Sequence, residues 1–290
     1  MSSLNILITG SNSPLGRYFV RKMTQTFSDC RVSALCRAAP DYNRDRVEYI
    51  IHDLKTDTFN SEQAFDIIIH VASVVSGSAK NVTEFGIVNY EGSARLFEQV
   101  SLNENATILN ISSTAVYEDP LSEILTEDSS KTSRDYYGLS KLRFENAVVE
   151  MFRDGRVQIL TCRLPVLLVE GVRNNFVATW LEQIEVGHPI TIFNPDSLFN
   201  ACIAADDIFD FFMQFRRDHP SQYLTCNLSS QSPIKVIDVA RLMIDLVGNP
   251  IQIIEKRADK IAQLVSHKLA VEHGFKPRPV KDCIRSFIKV

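Results

Sequence analysis

Leu4-Asn5-Ile6-Leu7-Ile8-Thr9-Gly10-Ser11-Asn12-Ser13-Pro14-Leu15-Gly16 is the stretch from which the architecture of this chain follows. Its first half is short and almost wholly apolar, which is typical of a strand buried on both faces of a parallel sheet. Gly10 ends the strand, and a helical pattern starts at Pro14. A strand, a glycine turn and a helix form the first unit of a dinucleotide-binding fold, in which backbone N–H groups and a helix N-terminus face a pyrophosphate.

The glycine spacing of this turn is not that of the Rossmann fingerprint G-x-G-x-x-G. Gly10, Ser13 and Gly16 are closer to the G-x-x-G-x-x-G of short-chain dehydrogenases, with serine for the middle glycine. Ser13 either caps the helix or turns its hydroxyl toward a phosphate, and Pro14 suits the first helical position. The alternative is a strand–turn–helix corner that binds nothing.

Composition limits the classes of protein and of partner. The chain has 290 residues, of which 45% are hydrophobic, and a net charge of −4, as expected for one large α/β domain with an elaboration. No basic run stands out, so we expect neither nucleic acid nor an anionic membrane as a partner. The apolar segments are too short to span a bilayer, no signal peptide is recognisable, and six scattered cysteines lack a CxxC pair. These features predict a cytoplasmic protein with reduced thiols, without a disulfide framework or a metal site.

Apolar strands alternate with helical patterns along the first half of the chain. This alternation predicts an α/β fold with a doubly wound, parallel Rossmann-type sheet and a smaller C-terminal substrate lobe. We expect a dinucleotide-binding domain over 1–165, with a returning segment at about 200–230, and a mainly substrate-binding lobe over 166–290. The predicted strands cover 4–8, 31–36, 47–54, 65–73, 106–111, 157–164 and 223–228. The predicted helices start at 14 and cover 84–102, 133–152, 177–185, 205–215 and 236–247.

The end of the second predicted strand bears on the choice of cofactor. An enzyme that prefers NAD usually has an acid about 20 residues past the last glycine, where it binds the ribose 2′-hydroxyl. This chain has Cys36 followed by Arg37, and an arginine there suits a 2′-phosphate. The sequence therefore favours NADP over NAD, unless Arg37 is an ordinary surface residue at a strand end.

Ser113, Tyr137 and Lys141 form a candidate catalytic group. Tyr137 and Lys141 are four residues apart in a predicted helix, so their side chains lie on one face. A phenol with a pKa near ~10 is a poor proton donor or acceptor at neutral pH, and a nearby ammonium is expected to lower that pKa. Ser113, at a predicted strand end, has a hydroxyl that suits a substrate oxygen. This group fits hydride transfer, in which a proton moves as well.

With these features in place, the sequence resembles the extended short-chain dehydrogenase/reductases, the NAD-dependent epimerase/dehydratase family that acts on nucleotide sugars. The resemblance covers nearly the whole chain. The motifs that carry it are Thr9-Gly10-x-x-Ser13-x-x-Gly16, Asp53-Leu54, His70-x-Ala72-Ser73, Asn89-x-x-Gly92-Ser93, Ser112-Ser113-Thr114-Ala115-Val116-Tyr117, Tyr137-x-x-x-Lys141, Arg163-Leu164-Pro165, Gly187-x-Pro189-Ile190 and Ala205-Asp206-Asp207-Ile208.

The resemblance implies roles for individual residues. Ser113 would bond the reacting oxygen, Tyr137 would exchange its proton, and Lys141 would hold the nicotinamide ribose. The implied cofactor-binding set is Gly10, Asn12, Ser13, Pro14, Leu15, Gly16, Arg37, Asp53, Leu54, Val71, Ala72, Ser73, Asn89, Ile111, Tyr137, Lys141 and Leu164. The implied substrate-binding set is Ser73, Ser113, Thr114, Asn175 and Phe176.

Departures from the family pattern narrow the reaction. Thr114-Ala115 follow Ser113, where dehydratases of the group carry acids, so dehydration is disfavoured. The stretch 199–203 lacks an arginine that often binds a substrate diphosphate. The expected activity is hydride transfer at a carbon of a nucleotide sugar, by 4-epimerisation or 4-keto reduction. Reduction of a non-sugar carbonyl, and a non-catalytic NADP(H) sensor on the same fold, are the alternatives.

The resemblance also implies a homodimer. Family members commonly pair through two helices of each subunit, packed as a four-helix bundle. The corresponding segments here lie near 84–102 and 134–152, and the second has apolar residues on several faces.

Overall fold

A computed structural model describes residues 3–40, 44–75, 77–118, 123–131, 135–218, 222–259 and 263–289. The chain forms two compact units. The first unit comprises Met1–Asp119, Ser130–Arg163 and Phe212–Thr225, and the second comprises Pro120–Ser129, Leu164–Phe211 and Cys226–Val290. The segment that returns to the first unit, Phe212–Thr225, lies within the predicted 200–230, and the short piece Pro120–Ser129 belongs to the second unit.

A seven-stranded sheet forms the centre of the first unit, with the strand order β12-β7-β5-β4-β1-β2-β3. The described pairings of β1 with β2 and β4, of β2 with β3 and of β4 with β5 are all parallel. This architecture confirms the predicted doubly wound fold. The strands are β1 (Leu4–Thr9), β2 (Cys30–Cys36), β3 (Val47–Ile51), β4 (Phe65–His70), β5 (Leu102–Ser113), β7 (Gln158–Leu164) and β12 (Tyr223–Asn227), and the two-residue β6 (Ile124–Leu125) lies outside this sheet.

The apolar runs of the sequence become buried strands because helices cover the sheet. Ile6, Leu7 and Ile8 of β1 and Ile67 to Ile69 of β4 have no exposed surface. The helices of this part of the chain are α1 (Pro14–Thr26), a π-helix (Phe85–Gly92), α2 (Ser93–Gln99), a 3-10 turn (Thr114–Val116), α3 (Tyr136–Met151) and α5 (Ala205–Asp218).

The segment predicted as one helix over 84–102 differs most from expectation. It is a π-helix followed by α2, which ends at Gln99, and Leu102 already begins β5. Gly92 joins the two helices where the backbone passes very close to the loop after β3. A Cβ at Gly92 would lie only 2.1 Å from the Leu54 carbonyl oxygen, so this crossing requires glycine.

Other predicted bounds shift by a few residues. The third strand ends at Ile51, the fourth at His70, and the fifth is longer than the predicted 106–111. The start predicted at 133 for the helix that carries Tyr137 lies outside the described residues. Helix α3 spans Tyr136–Met151, and the Asp135 side chain caps it by accepting the Tyr137 N–H.

The second unit has its own apolar core, built by α4, α6 and α8 with short strands. Its remaining elements are β8 (Val166–Leu168), α4 (Phe176–Glu185), β9 (Ile190–Phe193), β10 (Leu198–Phe199), β11 (Cys202–Ala204), β13 (Ile234–Lys235), α6 (Val236–Val247), β14 (Ile253–Lys256), β15 (Leu264–Val265), α7 (Lys268–Glu272) and α8 (Val280–Ile288). Across the described residues, no helix is both long and apolar enough to cross a membrane.

Candidate active site

The turn between β1 and α1 brings backbone amides together at the edge of the sheet. Gly10 has a φ of +66°, and a Cβ there would lie 2.8 Å from Ala72 N and Cα. Gly16 is tighter still, because a Cβ would lie 2.2 Å from the Gly10 carbonyl oxygen. The Ser13 side chain accepts the Gly16 N–H at 3.1 Å and so caps α1, which is one of the two roles expected for it.

A cavity of about 350 Å³ opens beside this turn, at the carboxyl ends of β1 to β4. Nine predicted cofactor residues line it: Gly10, Asn12, Ser13, Arg37, Asp53, Leu54, Val71, Ala72 and Ser73. Sequence reasoning missed other lining residues, among them Ala38, His52 and Lys55. Their positions just after β2 and β3 were the available signal, since ligands of such sheets bind at the carboxyl ends of the strands. Pro14, Leu15 and Gly16 follow in the first turn of α1.

The wall of the cavity that follows β2 and β3 is formed by residues 36–38 and 52–55. Cys36 is buried, and its thiol points to the Ile50 carbonyl. Arg37 is exposed on the cavity wall, and the structure shows no ion pair for it among the described residues. The Asp53 carboxylate accepts the Lys55 N–H at 2.9 Å, and the Lys55 ammonium pairs with Glu84.

Thr9 lines the cavity, and its hydroxyl is hydrogen bonded to the buried His70. The Thr9 hydroxyl oxygen accepts the N–H groups of Val71 and Ala72 at 3.2 and 3.1 Å, so its own hydrogen points to His70 Nδ1 at 2.9 Å. His70 is buried between the rings of Phe97 and Phe144. Burial, together with the charge of Lys141, lowers the pKa of His70 to about 3. The histidine is therefore neutral, which agrees with a structural role.

The three predicted catalytic residues converge in the first unit. The Tyr137 hydroxyl is hydrogen bonded to the side chains of Ser113, at the end of β5, and Ser73, just beyond β4. Ser113 Oγ also accepts the Ala115 N–H at 3.1 Å, while Ser73 Oγ donates to the Val74 carbonyl at 3.2 Å. The phenol thus has two serine hydroxyls as neighbours, and one of them, that of Ser73, belongs to a residue that lines the cavity.

The pKa shifts of Tyr137 and Lys141 differ from the expectation. Burial raises the pKa of Tyr137, and the hydrogen bonds from Ser113 and Ser73 offset only part of this effect. Lys141 is 4% exposed, and burial lowers its pKa to about 8 although the Glu145 carboxylate acts in the other direction. The cost of desolvating each charged form therefore dominates in this state of the protein, and the predicted lowering of the phenol pKa is not seen.

Asn89 connects the π-helix to α3. Its side chain bonds both the N–H and the carbonyl of Val74, at 2.7 and 2.9 Å, and donates to Ser140 Oγ at 3.1 Å. Ser140 in turn donates to the Tyr137 carbonyl at 2.7 Å. Asn89 is thus tied to the residue after Ser73 and, through Ser140, to Tyr137. Ile111 lies on β5, two residues before Ser113.

The remaining predicted residues have separate positions. Thr114 begins the 3-10 turn directly after Ser113. Leu164, Asn175 and Phe176 belong to the second unit. The Asn175 side chain caps α4 by accepting the Ala178 N–H and donates to the Leu167 carbonyl. Asn175 therefore has a structural task of its own, whereas Phe176 is 37% exposed.

Comparison with known proteins finds a curated relative by sequence and many solved structures with a similar fold. The chain is 30% identical over 192 residues to the D-erythronate dehydrogenase of Cupriavidus necator, a match that covers 61% of this chain and 59% of that protein's length. The structure of the UDP-glucuronic acid 4-epimerase of Bacillus cereus in complex with NAD is similar with a TM-score of 0.81, at 16% identity and 99% coverage of both chains. MoeE5 in complex with UDP-glucuronic acid and NAD has the same TM-score, at 18% identity and 98% coverage of both chains.

A sequence profile of one family covers most of the chain. The match runs over residues 6–221, from the first strand through α3 and past the end of α5. Members of this family are NAD-dependent epimerases and dehydrogenases of the extended short-chain dehydrogenase type. The chain therefore belongs to the NAD dependent epimerase/dehydratase family.

Proposed function

We propose that this protein is an NAD(P)-dependent oxidoreductase or epimerase that transfers a hydride at a sugar carbon, with Ser113, Tyr137 and Lys141 as its catalytic group. The observation that carries the proposal is the Tyr137 hydroxyl, held between two serine hydroxyls one helical turn from a buried lysine. A sensor protein would not need a phenol in these surroundings.

Each side chain has a task that follows from its contacts. The nicotinamide supplies or accepts the hydride when it is bound. The Tyr137 O–H donates a proton to the substrate oxygen during reduction and accepts one during oxidation. Ser113 Oγ already accepts an N–H, so its own hydrogen is available to the substrate oxygen or the phenol. The Lys141 ammonium would donate to the ribose hydroxyls of a bound dinucleotide, and its positive charge would favour the phenolate form of Tyr137.

The first unit fits a dinucleotide. Two backbone N–H groups, that of Asn12 in the turn before α1 and that of Leu15 at the start of α1, have no hydrogen-bond partner among the described residues. Asn12 Oδ1 is buried without a hydrogen bond, although Asn12 Nδ2 donates to the Ala38 carbonyl at 2.7 Å. Groups of this kind at a helix N-terminus suit a pyrophosphate. Arg37 at the cavity wall supports a preference for NADP, because it suits a 2′-phosphate.

A nucleotide sugar is the substrate class that we propose. Support comes from the shared fold of solved structures that contain UDP-glucuronic acid or UDP-glucose with NAD. A second candidate is a free sugar acid, favoured by the 30% identity to a D-erythronate dehydrogenase. In both cases the reacting group is a secondary alcohol or its ketone, so the same three residues serve.

Incubation with candidate substrates tests the proposal. The purified protein is mixed separately with UDP-glucose, UDP-glucuronic acid and D-erythronate, with NAD⁺ or NADP⁺, and the products are identified by mass spectrometry and absorbance at 340 nm. An epimer without net reduction indicates an epimerase, and net reduction of the dinucleotide indicates a dehydrogenase. If the protein binds neither NAD⁺ nor NADP⁺, the proposal is overturned.

We also propose that the protein is a homodimer and lies in the cytoplasm. The π-helix presents Ile87, which is 38% exposed, and the Tyr90 ring stacks with Arg143 of α3. An apolar side chain and an aromatic–cation pair on adjacent helices suit a contact between two copies. The location of the protein stays a prediction.

A further inference from the structure

Two oppositely charged side chains are buried directly behind the catalytic residues. Glu145 lies on α3, one turn beyond Lys141, and Arg163 lies near the end of β7. Their side chains are 4% and 5% exposed. Arg163 Nε donates to both carboxylate oxygens, at 3.1 and 3.2 Å, and Nη2 donates to Oε2 at 2.7 Å. Removing two charges from water costs folding free energy, and replacing only one partner costs more, because it leaves the other charge buried without a partner.

The pair is tied to the strand that carries Ser113. Ser112, the preceding residue of β5, donates its hydroxyl hydrogen to Glu145 Oε1. Arg163 Nη1 contacts the hydroxyl of Tyr117 at 2.9 Å, just beyond the 3-10 turn that follows Ser113. The network therefore joins β5, β7 and α3 at the point where the catalytic side chains emerge.

We propose that Glu145 and Arg163 are a positioning pair for Lys141: Arg163 and Ser112 hold the Glu145 carboxylate in place by hydrogen bonds, one helical turn from the buried ammonium, and the negative charge of Glu145 favours the protonated form of Lys141. This inference rests on the proposed function, since it concerns the ammonium that serves Tyr137 and the nicotinamide ribose. Without the carboxylate, burial alone would act on Lys141, and the neutral amine would neither favour a phenolate nor donate as strongly to a ribose.

Other groups around Lys141 do not take over this task. His70 on β4 is neutral at physiological pH, because burial and the lysine charge hold its pKa at about 3. Tyr137, on the same helix, has a pKa raised by burial and is also neutral. Arg163 carries a positive charge: burial acts to lower its pKa, but its bonds to Glu145 outweigh burial and raise it. Glu145 is thus the group of this set that favours the ammonium.

Charge-altering variants separate positioning from simple support of the fold. Residues four apart on a helix lie about 6 Å from each other, and a unit charge at that distance shifts a pKa by about one to two units. Glu145→Gln should therefore lower the pKa of Lys141 by about one to two units. Arg163→Gln should leave it unchanged or raise it. A purely structural pair predicts no such difference in sign between the two variants.

Nuclear magnetic resonance gives the readout without any substrate. The ¹³Cε shift of Lys141 is followed against pH in protein labelled with ¹³C-lysine, and Lys141→Met assigns the signal. The matched control is Asp154→Asn, which removes the same charge from an exposed ion pair with Arg156 just beyond α3. We expect a Lys141 pKa of about 8 in the unaltered protein and in the control. An unchanged pKa in Glu145→Gln, or an equal fall in both pair variants, would overturn the inference.

A second variant guards against loss of folding. Glu145→Asp keeps the charge but shortens the side chain, so it should hold the Lys141 pKa close to that of the unaltered protein even if thermal stability falls. A Lys141 pKa lowered as far as in Glu145→Gln would contradict the proposal. The titration needs no turnover, so an inactive protein with the expected titration would refute the proposed function alone.

Discussion

Replacing Gly16 by alanine tests the idea that the first turn is shaped for a dinucleotide. The added Cβ would lie 2.2 Å from the Gly10 carbonyl oxygen and 2.8 Å from Ser11 Cα, and both atoms belong to the backbone. The turn has to open by about 1 Å before these atoms reach an ordinary contact distance. Forcing extra volume into a packed site costs about 1–3 kcal/mol, so the melting temperature should fall.

The larger effect of Gly16→Ala should be on cofactor binding. Opening the turn redirects the amides of Asn12 and Leu15, and a hydrogen bond to a charged group is worth about 1.5–3 kcal/mol. Loss of one such bond raises the Kd for NADPH about 10- to 100-fold. Fluorescence titration with NADPH, on samples shown to be folded by circular dichroism, measures this change.

A glycine elsewhere in the same unit provides the control. A Cβ at Gly86 would meet nothing within 4 Å, so Gly86→Ala should bind NADPH as the unaltered protein does. If Gly16→Ala binds NADPH with unchanged affinity and melts at the same temperature, the turn is not the tight phosphate cradle described here.

The remaining predictions concern specificity, pH and assembly. Arg37→Ala should weaken NADPH binding much more than NADH binding, by about 10-fold or more for a lost charge-assisted contact; equal titration curves for both dinucleotides before and after the change would refute the role of Arg37. Burial lowers the pKa of Lys141 to about 8, so the affinity for NADPH should fall as the pH rises through that value and the ammonium loses its proton. An NADPH affinity that stays constant between pH 7 and 9 in the same titration would contradict this role of Lys141. Light scattering at micromolar concentration should give the mass of two chains, and Tyr90→Glu, which places a carboxylate on the π-helix, should shift it toward one chain; a monomer before the change would contradict the proposed dimer.

The sequence was sufficient for the fold because its strongest signals are local. The apolar run ending at Ile8, the turn at Gly10 and the helix start at Pro14 are each set by neighbouring residues, and the structure forms them as expected. Helix α6 has the bounds that its pattern predicts, Val236–Val247. The parallel arrangement follows from the alternation of strands and helices.

Features that depend on distant contacts were missed. The apolar spacing of 85–92 indicates a helix but does not distinguish a π-helix from an α-helix, and the contact between Gly92 and the Leu54 carbonyl is invisible in the sequence. Asp207, near the start of the helix predicted over 205–215, is buried and pairs with Arg278 from 71 residues away. Burial raises its pKa, which its bond to Arg278 offsets only in part.

The candidate site shows the same division between local and distant determinants. Tyr137 and Lys141 lie on one helix, as their spacing predicts, and Ser113 lies at the end of its strand. The sign of the Tyr137 pKa shift was wrong, because it depends on how deeply the phenol is buried. The buried pair of Glu145 and Arg163 was also missed, since nothing in their separation of 18 residues predicts that they meet.

A single-turnover experiment tests the central claim most directly. Protein loaded with NADP⁺ or NAD⁺ is mixed in a stopped-flow instrument with UDP-glucose, UDP-glucuronic acid or D-erythronate, and absorbance at 340 nm reports hydride transfer in an epimerase as well as in a dehydrogenase. We expect a rise with at least one of these substrates, and we expect Tyr137→Phe, which keeps the ring and loses the hydroxyl, to slow it by about 10²- to 10⁴-fold while the dinucleotide still binds. A rise of the same rate in Tyr137→Phe would contradict the account.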